Sequence, residues 1–211
     1  MGAKNSRITG VPPHRDLAAY DDRAGQYDRG WRGRLHHAIG DRTAALATST
    51  AASPQRVLDV GCGTGYLLRT LAGRYPDAEQ FGGIDAAPNM IETARRLTDD
   101  QRLTFSTGVA ERLPYPDASI DLVVSSTSFD HWTDQYTGLG ECARVLRPGG
   151  HLVLVDQFSL WLLPTLAVSR RGKARTRGRA NRLLLRAGFD RPRWHRLHAA
   201  IINAAVAAKR S

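Results

Sequence analysis

Residues 57–68 read VLDVGCGTGYLL and carry the strongest indication of how this chain folds. Residues 56–60 have the apolar composition of a buried parallel strand, and an apolar helical pattern follows the glycines. Gly61, Gly63 and Gly65 alternate between these two elements, and without a Cβ atom their backbone can approach a ligand closely. The new helix directs its first N–H groups at the same place. The stretch therefore predicts a ligand-binding turn at the carboxyl edge of an α/β sheet.

The residues around this turn limit the class of ligand that it binds. The dinucleotide fingerprint requires Gly or Ala three residues after its second glycine, and this chain has Tyr66 there. The Gly-Lys-Ser/Thr of a phosphate-binding P-loop does not occur in the sequence. Asp59 places a carboxylate at the mouth of the turn, where it repels a pyrophosphate and attracts a cationic amino-acid group. The expected ligand is therefore nucleotide-like with a cationic part.

Residues 57–68 closely resemble motif I of the class I S-adenosylmethionine-dependent methyltransferases, and the resemblance continues in order along the chain. A second predicted strand over 81–85 ends on Asp85, 24 residues after Gly61. An acid at roughly 20 residues from the turn is placed to reach ribose hydroxyls. The resemblance implies that Asp85 binds both ribose hydroxyls of the cofactor.

The segment after the third predicted strand, residues 103–108, resembles the Gly-Asp-Ala-Glu-x-Leu-Pro-Phe segment of the same family. Val109 stands where the family's Asp accepts a hydrogen bond from the adenine amino group. The backbone of Ala110 is able to donate to the ring, so adenine binding is expected with less polar specificity. Glu111 is either a rim residue or a solvated charge. Met90 has the position of an apolar residue that packs on adenine, and a core methionine is the alternative interpretation.

The fourth predicted strand, residues 121–126, ends without the Asn-Pro-Pro-Tyr or Pro-Cys signatures of nucleic-acid methyltransferases. A helix over 134–146, a helix stop at 147–150 and a fifth strand over 151–157 follow. Together they resemble the Glu-x-x-Arg-Val-Leu-x-Pro-Gly-Gly segment of the ubiquinone/menaquinone-type subgroup. A small-molecule acceptor is therefore favoured over a nucleic acid.

The N-terminal stretch YDDRAGQYD at residues 20–28 resembles a segment that folds over the cofactor in the same subgroup. Tyr20, Ala24 and Tyr27 recur at helical spacing, so they share one face of a helix. The resemblance implies that Tyr27 contacts the methionine end of the cofactor. The alternative is an N-terminal helix that only stabilises the domain.

All 211 residues are expected to form a single class I methyltransferase domain of the α/β class. The resemblance implies a Rossmann-like, doubly wound, seven-stranded sheet that is mostly parallel. A helix over 179–187 precedes a terminal antiparallel hairpin of strands over 193–198 and 201–207. An N-terminal helical segment (about 15–50) is expected to cover the cofactor, and a basic lid-like segment (about 158–180) to cover the acceptor.

Basic residues are concentrated towards the C-terminus, where residues 144–211 hold 15 Lys or Arg and two acidic residues. The run at 170–179 is either a solvated loop or a site for an anionic substrate, a lipid surface or RNA. Nucleic acid is thus a less favoured partner than a small molecule, and a weak membrane-surface contact is a further alternative. No apolar run reaches the roughly 20 residues of a membrane span, and the start lacks the apolar core of a signal peptide. Cys62 and Cys142 suggest neither a disulfide framework nor a metal site, so we expect a cytoplasmic protein.

Methyl transfer asks for alignment of the acceptor and exclusion of water, because a sulfonium is already an excellent leaving group. A hydroxyl or amine acceptor also gains from a base. His131 is the histidine placed just after the fourth strand, so it is the candidate catalytic base, with a pocket-lining role as the alternative. The predicted cofactor-binding residues are Tyr27, Asp59, Gly61, Gly63, Gly65, Asp85, Ala86, Met90, Ala110, Glu111 and Ser126.

The predicted function is transfer of a methyl group from S-adenosylmethionine to a small apolar or aromatic acceptor. The acceptor atom is carbon, oxygen or nitrogen, and the sequence does not choose among them. Two alternatives stay open: a methyltransferase that acts on RNA or another polyanion, and a cofactor-binding protein without methyl transfer.

Overall fold

A seven-stranded sheet organises the computed structural model, which describes residue 28 and residues 30–158, 176–199 and 201–211. The helices are α1 (Gly30–Thr50), α2 (Tyr66–Arg74), α3 (Pro88–Arg96), α4 (Gln135–Val145) and α5 (Arg177–Arg186). The strands are β1 (Arg56–Val60), β2 (Gln80–Asp85), β3 (Leu103–Thr107), β4 (Ile120–Ser126), β5 (Leu146–Asp156), β6 (Arg193–His198) and β7 (Ile202–Ala208). One short 3₁₀ turn, Phe129–His131, follows β4.

The strand order is β3-β2-β1-β4-β5-β7-β6. Strands β1 to β5 run parallel, whereas β7 is antiparallel to both β5 and β6. This arrangement confirms the predicted doubly wound sheet with a terminal antiparallel hairpin. The chain changes its winding direction between β1 and β4, and open α/β sheets bind ligands outside the carboxyl ends of the strands at such a point.

Apolar side chains pack on both faces of the sheet, because parallel strands are covered by helices on each side. The face towards α1, α2 and α3 includes Ile39, Val57, Leu68, Phe81 and Ile91. The face towards α4 and α5 includes Leu58, Val123, Leu139, Leu154 and Leu184. Successive residues of a strand point to opposite faces, so Asp59 shares the face of Val57, on the side of α1.

The start of β5 differs from the prediction, which placed residues 147–150 in a loop between helix and strand. The strand begins at Leu146, which pairs with Ile120 before an irregularity in the register. On the other side the Lys209 backbone N–H donates to the Gly150 carbonyl at 2.8 Å. Because backbone partners are present on both sides, this Pro-Gly-Gly segment pairs with the sheet and forms an irregular start of β5.

Several sequence-based expectations concern parts of the chain outside the described residues. The predicted N-terminal helix face of Tyr20, Ala24 and Tyr27 lies there, as does most of the predicted lid at 158–180. Of that lid, the structure describes Phe158, which is buried, and residues 176–180, which form the N-cap and first turn of α5. No helix within the described ranges is long and apolar enough to cross a membrane.

Candidate functional site

The glycine turn between β1 and α2 adopts a backbone that L-residues with side chains rarely adopt. Gly61, Gly63 and Gly65 have φ angles of +81°, +53° and +79°. A Cβ atom on Gly61 would lie 2.2 Å from Oγ of Ser128, and one on Gly65 would lie 2.8 Å from the Phe105 ring. A Cβ atom on Gly63 would meet no atom of the described residues within 4 Å. The fold therefore requires the outer two glycines, whereas Gly63 faces open space in which a ligand fits.

An open cleft of about 470 Å³ lies over this turn. It gathers residues from the end of β1, the turn itself, the start of α2, the end of β4 and the N-terminal side of α1. Predicted site residues in its lining are Asp59, Gly61, Gly63 and Ser126. Residues that the sequence analysis missed are Asp28, His36, His37, Gly40, Cys62, Thr64, Tyr66, Leu67 and Thr127.

Asp59 is a buried carboxylate at the wall of the cleft, with 1% of its surface exposed. Its Oδ1 atom has no hydrogen-bond partner among the described residues. Burial, reinforced by the charge of Asp85, raises the pKa of the Asp59 carboxyl to about 8. A buried carboxylate without a donor is costly unless a proton or a cationic group neutralises it. The site is therefore suited to a ligand that brings a cation to Asp59.

Asp85, at the end of β2, is held against the glycine turn by two backbone donors. The Gly63 N–H donates to Oδ2 at 2.8 Å, and the Ala87 N–H donates to Oδ1 at 2.9 Å. Burial raises the pKa of Asp85, while these two hydrogen bonds and the charge of His131 oppose the rise. Each carboxylate oxygen keeps further acceptor capacity, since a carboxylate can accept about four hydrogen bonds. Asp85, followed by Ala86, is thus fixed in orientation beside the turn.

The predicted adenine-side residues lie in well-packed surroundings. Met90 and Ala110 are 2% and 5% exposed. Met90 is therefore buried in the core, and its contact with adenine stays a prediction. Glu111 accepts a hydrogen bond from the Asp134 backbone N–H at 2.8 Å, so this carboxylate ties its loop to the start of α4.

The loop that carries Ala110 is anchored by Arg144 and Glu141 of α4. The Arg144 guanidinium donates to both carboxylate oxygens of Glu141 at 2.7 and 2.8 Å. It also donates to the backbone carbonyls of Leu113 (3.0 Å) and Tyr115 (2.8 Å). In return, the Leu113 N–H donates to Glu141 at 2.8 Å. This pair of the Glu-x-x-Arg segment therefore fixes the loop along the predicted adenine side.

Replacing Arg144 with Met should destabilise the fold by about 2–4 kcal/mol, because it leaves two backbone carbonyls without their donor and removes the guanidinium that pairs with Glu141. Urea unfolding followed by circular dichroism measures the loss. Arg56→Met is the matched control, since Arg56 pairs with Glu79 only at 3.8 Å on the surface. Such pairs contribute between 0 and about 1 kcal/mol. Equal stability of the two variants would show that the anchor is not structural.

His131 lies in the 3₁₀ turn after β4, where its backbone N–H donates to the Ser128 carbonyl at 2.9 Å. Its charge lowers the pKa of Asp85, so the imidazole is near the predicted ribose side of the site. The described residues that line the cleft do not include His131. Its catalytic role stays a prediction.

Helix α1 supplies part of the cleft that the sequence analysis did not foresee. The His37 ring stacks on the Tyr66 ring, with 3.8 Å between centroids and 6° between planes. The Nε2 atom of His37 lies 3.0 Å from Oδ1 of Asp28, and the Tyr66 hydroxyl donates to Asp41 at 2.9 Å. These contacts dock α1 onto the first turn of α2, beside the glycines. Tyr27, the residue predicted to reach the cofactor from this side, lies outside the described residues.

Comparison with known proteins shows which proteins this chain resembles in sequence. Residues 58–154 match the family described as a methyltransferase domain. Over 131 residues the chain is 44% identical to the demethylmenaquinone methyltransferase of Deinococcus radiodurans, covering 61% of this chain and 50% of that protein. It is 32% identical over 166 residues to the 27-O-demethylrifamycin SV methyltransferase of Amycolatopsis mediterranei, covering 71% and 60%.

A similar fold is seen in human N-acetylserotonin methyltransferase in complex with S-adenosylmethionine, with a TM-score of 0.69 and 21% identity. That match covers 93% of this chain and 57% of the human one. The chain spans about half the length of the demethylmenaquinone methyltransferases that it matches.

Proposed function

We propose that this protein transfers a methyl group from S-adenosylmethionine to a small apolar or aromatic acceptor, because residues 58–154 match the methyltransferase domain family and the chain is 44% identical over 131 residues to a demethylmenaquinone methyltransferase. The observation that carries the proposal is the buried Asp59 carboxylate at the wall of the glycine-turn cleft, whose Oδ1 atom has no hydrogen-bond partner in the part of the chain that the structure describes. S-Adenosylmethionine brings an ammonium and a sulfonium, which are the kind of groups that this carboxylate needs.

The residues present fit this donor molecule in three ways. Asp59 supplies an acceptor for the ammonium, and Asp85 supplies carboxylate oxygens for ribose hydroxyls. Gly63 leaves open space beside a backbone that Asp85 already orients through their 2.8 Å hydrogen bond. The sulfonium supplies a methyl group with an excellent leaving group. The protein is left to hold the acceptor in line and to exclude water.

A small acceptor is supported by the relatives and by the cleft. The Deinococcus relative is named for demethylmenaquinone and the Amycolatopsis relative for a demethylrifamycin, and both names denote small molecules with ring systems. The cleft over the glycine turn is where such an acceptor would meet the donor. We extend this class of acceptor to the present chain.

The direct test is incubation with methyl-labelled S-adenosylmethionine and a panel of demethylmenaquinol, 1,4-dihydroxynaphthalene and total RNA. Mass spectrometry should detect the label in one of the aromatic acceptors. Label in RNA alone, with a steep dependence on salt, would replace the proposal with a polyanion methyltransferase. Binding of the donor without transfer to any acceptor would leave a cofactor-binding protein.

Proton release on binding tests the role of Asp59. With a pKa of about 8, the Asp59 carboxyl is largely protonated at pH 7, and a cationic ligand favours its ionised form. Binding of S-adenosylhomocysteine, which keeps the ammonium, should therefore release about one proton at pH 7. Affinity should fall as the pH drops below 8, by up to about tenfold per unit. Calorimetry in buffers of different ionisation enthalpy measures the release.

Asp59→Asn is the matched variant, because an amide of the same shape has no proton to lose. It should bind more weakly and release no proton. Proton release that persists in Asp59→Asn would assign the titration to another group and remove Asp59 from the cation site.

A further inference from the structure

Two adjacent histidines of α1, His36 and His37, line the cleft together with the glycine turn and the end of β4. His37 is fixed by its stack on Tyr66 and its 3.0 Å contact with Asp28. This arrangement gives His37 a structural task in docking α1. His36 reaches the same cleft from the neighbouring position of the helix.

The surroundings of His36 favour a neutral imidazole. Burial lowers the pKa of His36, Asp28 acts in the opposite direction, and the charges of His37 and Arg32 lower it further. From other elements, Asp59 of β1 and Tyr66 of α2 share the cleft. The neutral form of imidazole has a ring nitrogen that can accept a proton, so the lowered pKa keeps the ring in the form that a base needs.

We propose that His36 is the catalytic base of the methyl transfer and takes the proton from the hydroxyl or amine of the acceptor. This inference rests on the proposed function. The S–CH₃ bond breaks, its electron pair stays on sulfur, and the methyl group forms a bond to the acceptor atom. The proton leaves the acceptor for a ring nitrogen of His36, so the products are methylated acceptor, S-adenosylhomocysteine and an imidazolium that later returns the proton to water.

The positions of the two candidate histidines support this choice. His36 lines the cleft with Asp59, Gly61 and Ser126, where the reactive end of the donor is expected. His131 instead influences the pKa of Asp85, on the predicted ribose side. A base must come within hydrogen-bond reach of the proton that it removes, so the location in the cleft favours His36.

The test compares His36→Asn with His195→Asn, a control on the exposed edge strand β6. Single-turnover transfer to 1,4-dihydroxynaphthalene should fall by about 10²–10⁴ in His36→Asn. Affinity for S-adenosylhomocysteine should stay within about twofold, and the pH–rate profile should lose the inflection of the base. His195→Asn should keep the wild-type rate and profile.

Chemical rescue separates a base from a residue that only shapes the site. Free imidazole should restore turnover in His36→Ala in proportion to the concentration of neutral imidazole. NMR titration of the wild-type protein should show a neutral His36 ring at pH 7. Unchanged turnover and pH profile in His36→Asn would overturn the base role. Rescue by imidazole of His131→Ala but not of His36→Ala would also overturn it. So would a His36→Asn protein that binds S-adenosylmethionine more weakly but has normal turnover when it is saturated with S-adenosylmethionine. Absence of transfer by the wild-type protein would refute the proposed function instead.

Discussion

Gly63→Val is expected to weaken binding of S-adenosylmethionine and S-adenosylhomocysteine by roughly 5- to 150-fold while the protein stays folded. Within the described ranges, a Cβ atom at this position meets no atom within 4 Å, so the new side chain occupies the space proposed for the ligand. Forcing extra carbons into a filled contact costs about 1–3 kcal/mol or more, and every 1.4 kcal/mol is tenfold in affinity. The loss of affinity therefore comes from a clash between the new side chain and the ligand, and not from a clash within the protein.

The control for backbone strain is Gly149→Val. Gly149 has a similar left-handed φ of +74°, and its Cβ position is equally open, but it lies at the start of β5. Both variants should lose similar stability in thermal unfolding, whereas only Gly63→Val should lose binding in calorimetry. Normal ligand affinity in Gly63→Val would show that the ligand binds elsewhere.

Asp85→Ala is expected to weaken binding of the same two molecules by about 1–3 kcal/mol, or roughly 5- to 150-fold. The substitution removes the acceptor proposed for the ribose hydroxyls. It also frees the Gly63 N–H, which donates to Asp85 at 2.8 Å, and so loosens the glycine turn. Because the charge of Asp85 raises the pKa of Asp59, its loss should also lower the pKa of Asp59.

Calorimetry with S-adenosylhomocysteine measures the effect, and Asp99→Ala on the exposed surface is the matched control. A ligand without ribose hydroxyls, 2′,3′-dideoxy-S-adenosylhomocysteine, separates the two contributions. It should bind wild-type and Asp85→Ala with more similar affinity than the natural ligand does. If wild-type and Asp85→Ala differ in affinity for the dideoxy ligand as much as they do for the natural ligand, the proposed contact between Asp85 and the ribose is contradicted.

Much of the fold could be predicted because local patterns and long-range pairing agree. The apolar helical pattern predicted to follow the glycines coincides with α2, which begins directly after the left-handed Gly65. The start of β5 could not be predicted, because it depends on pairing with Ile120 and on a donor from Lys209. A Pro-Gly-Gly sequence alone indicates a turn, and only neighbouring strands make it part of a sheet.

The site shows the same division between local and tertiary information. The conformations of Gly61, Gly63 and Gly65 follow from a local motif, and their left-handed backbone explains why glycine is needed there. His36 and His37 carry no motif, and they enter the site only because α1 docks on Tyr66. Their position in a helix beside the glycine turn is visible only in three dimensions.

Calorimetric titration of the wild-type protein with S-adenosylhomocysteine and, separately, with NAD tests most directly which ligand the cleft over the glycine turn binds. We expect one site for S-adenosylhomocysteine and no binding of NAD. Binding should release about one proton at pH 7 from Asp59, whose pKa is raised to about 8. Binding of NAD together with no binding of S-adenosylhomocysteine would contradict this expectation.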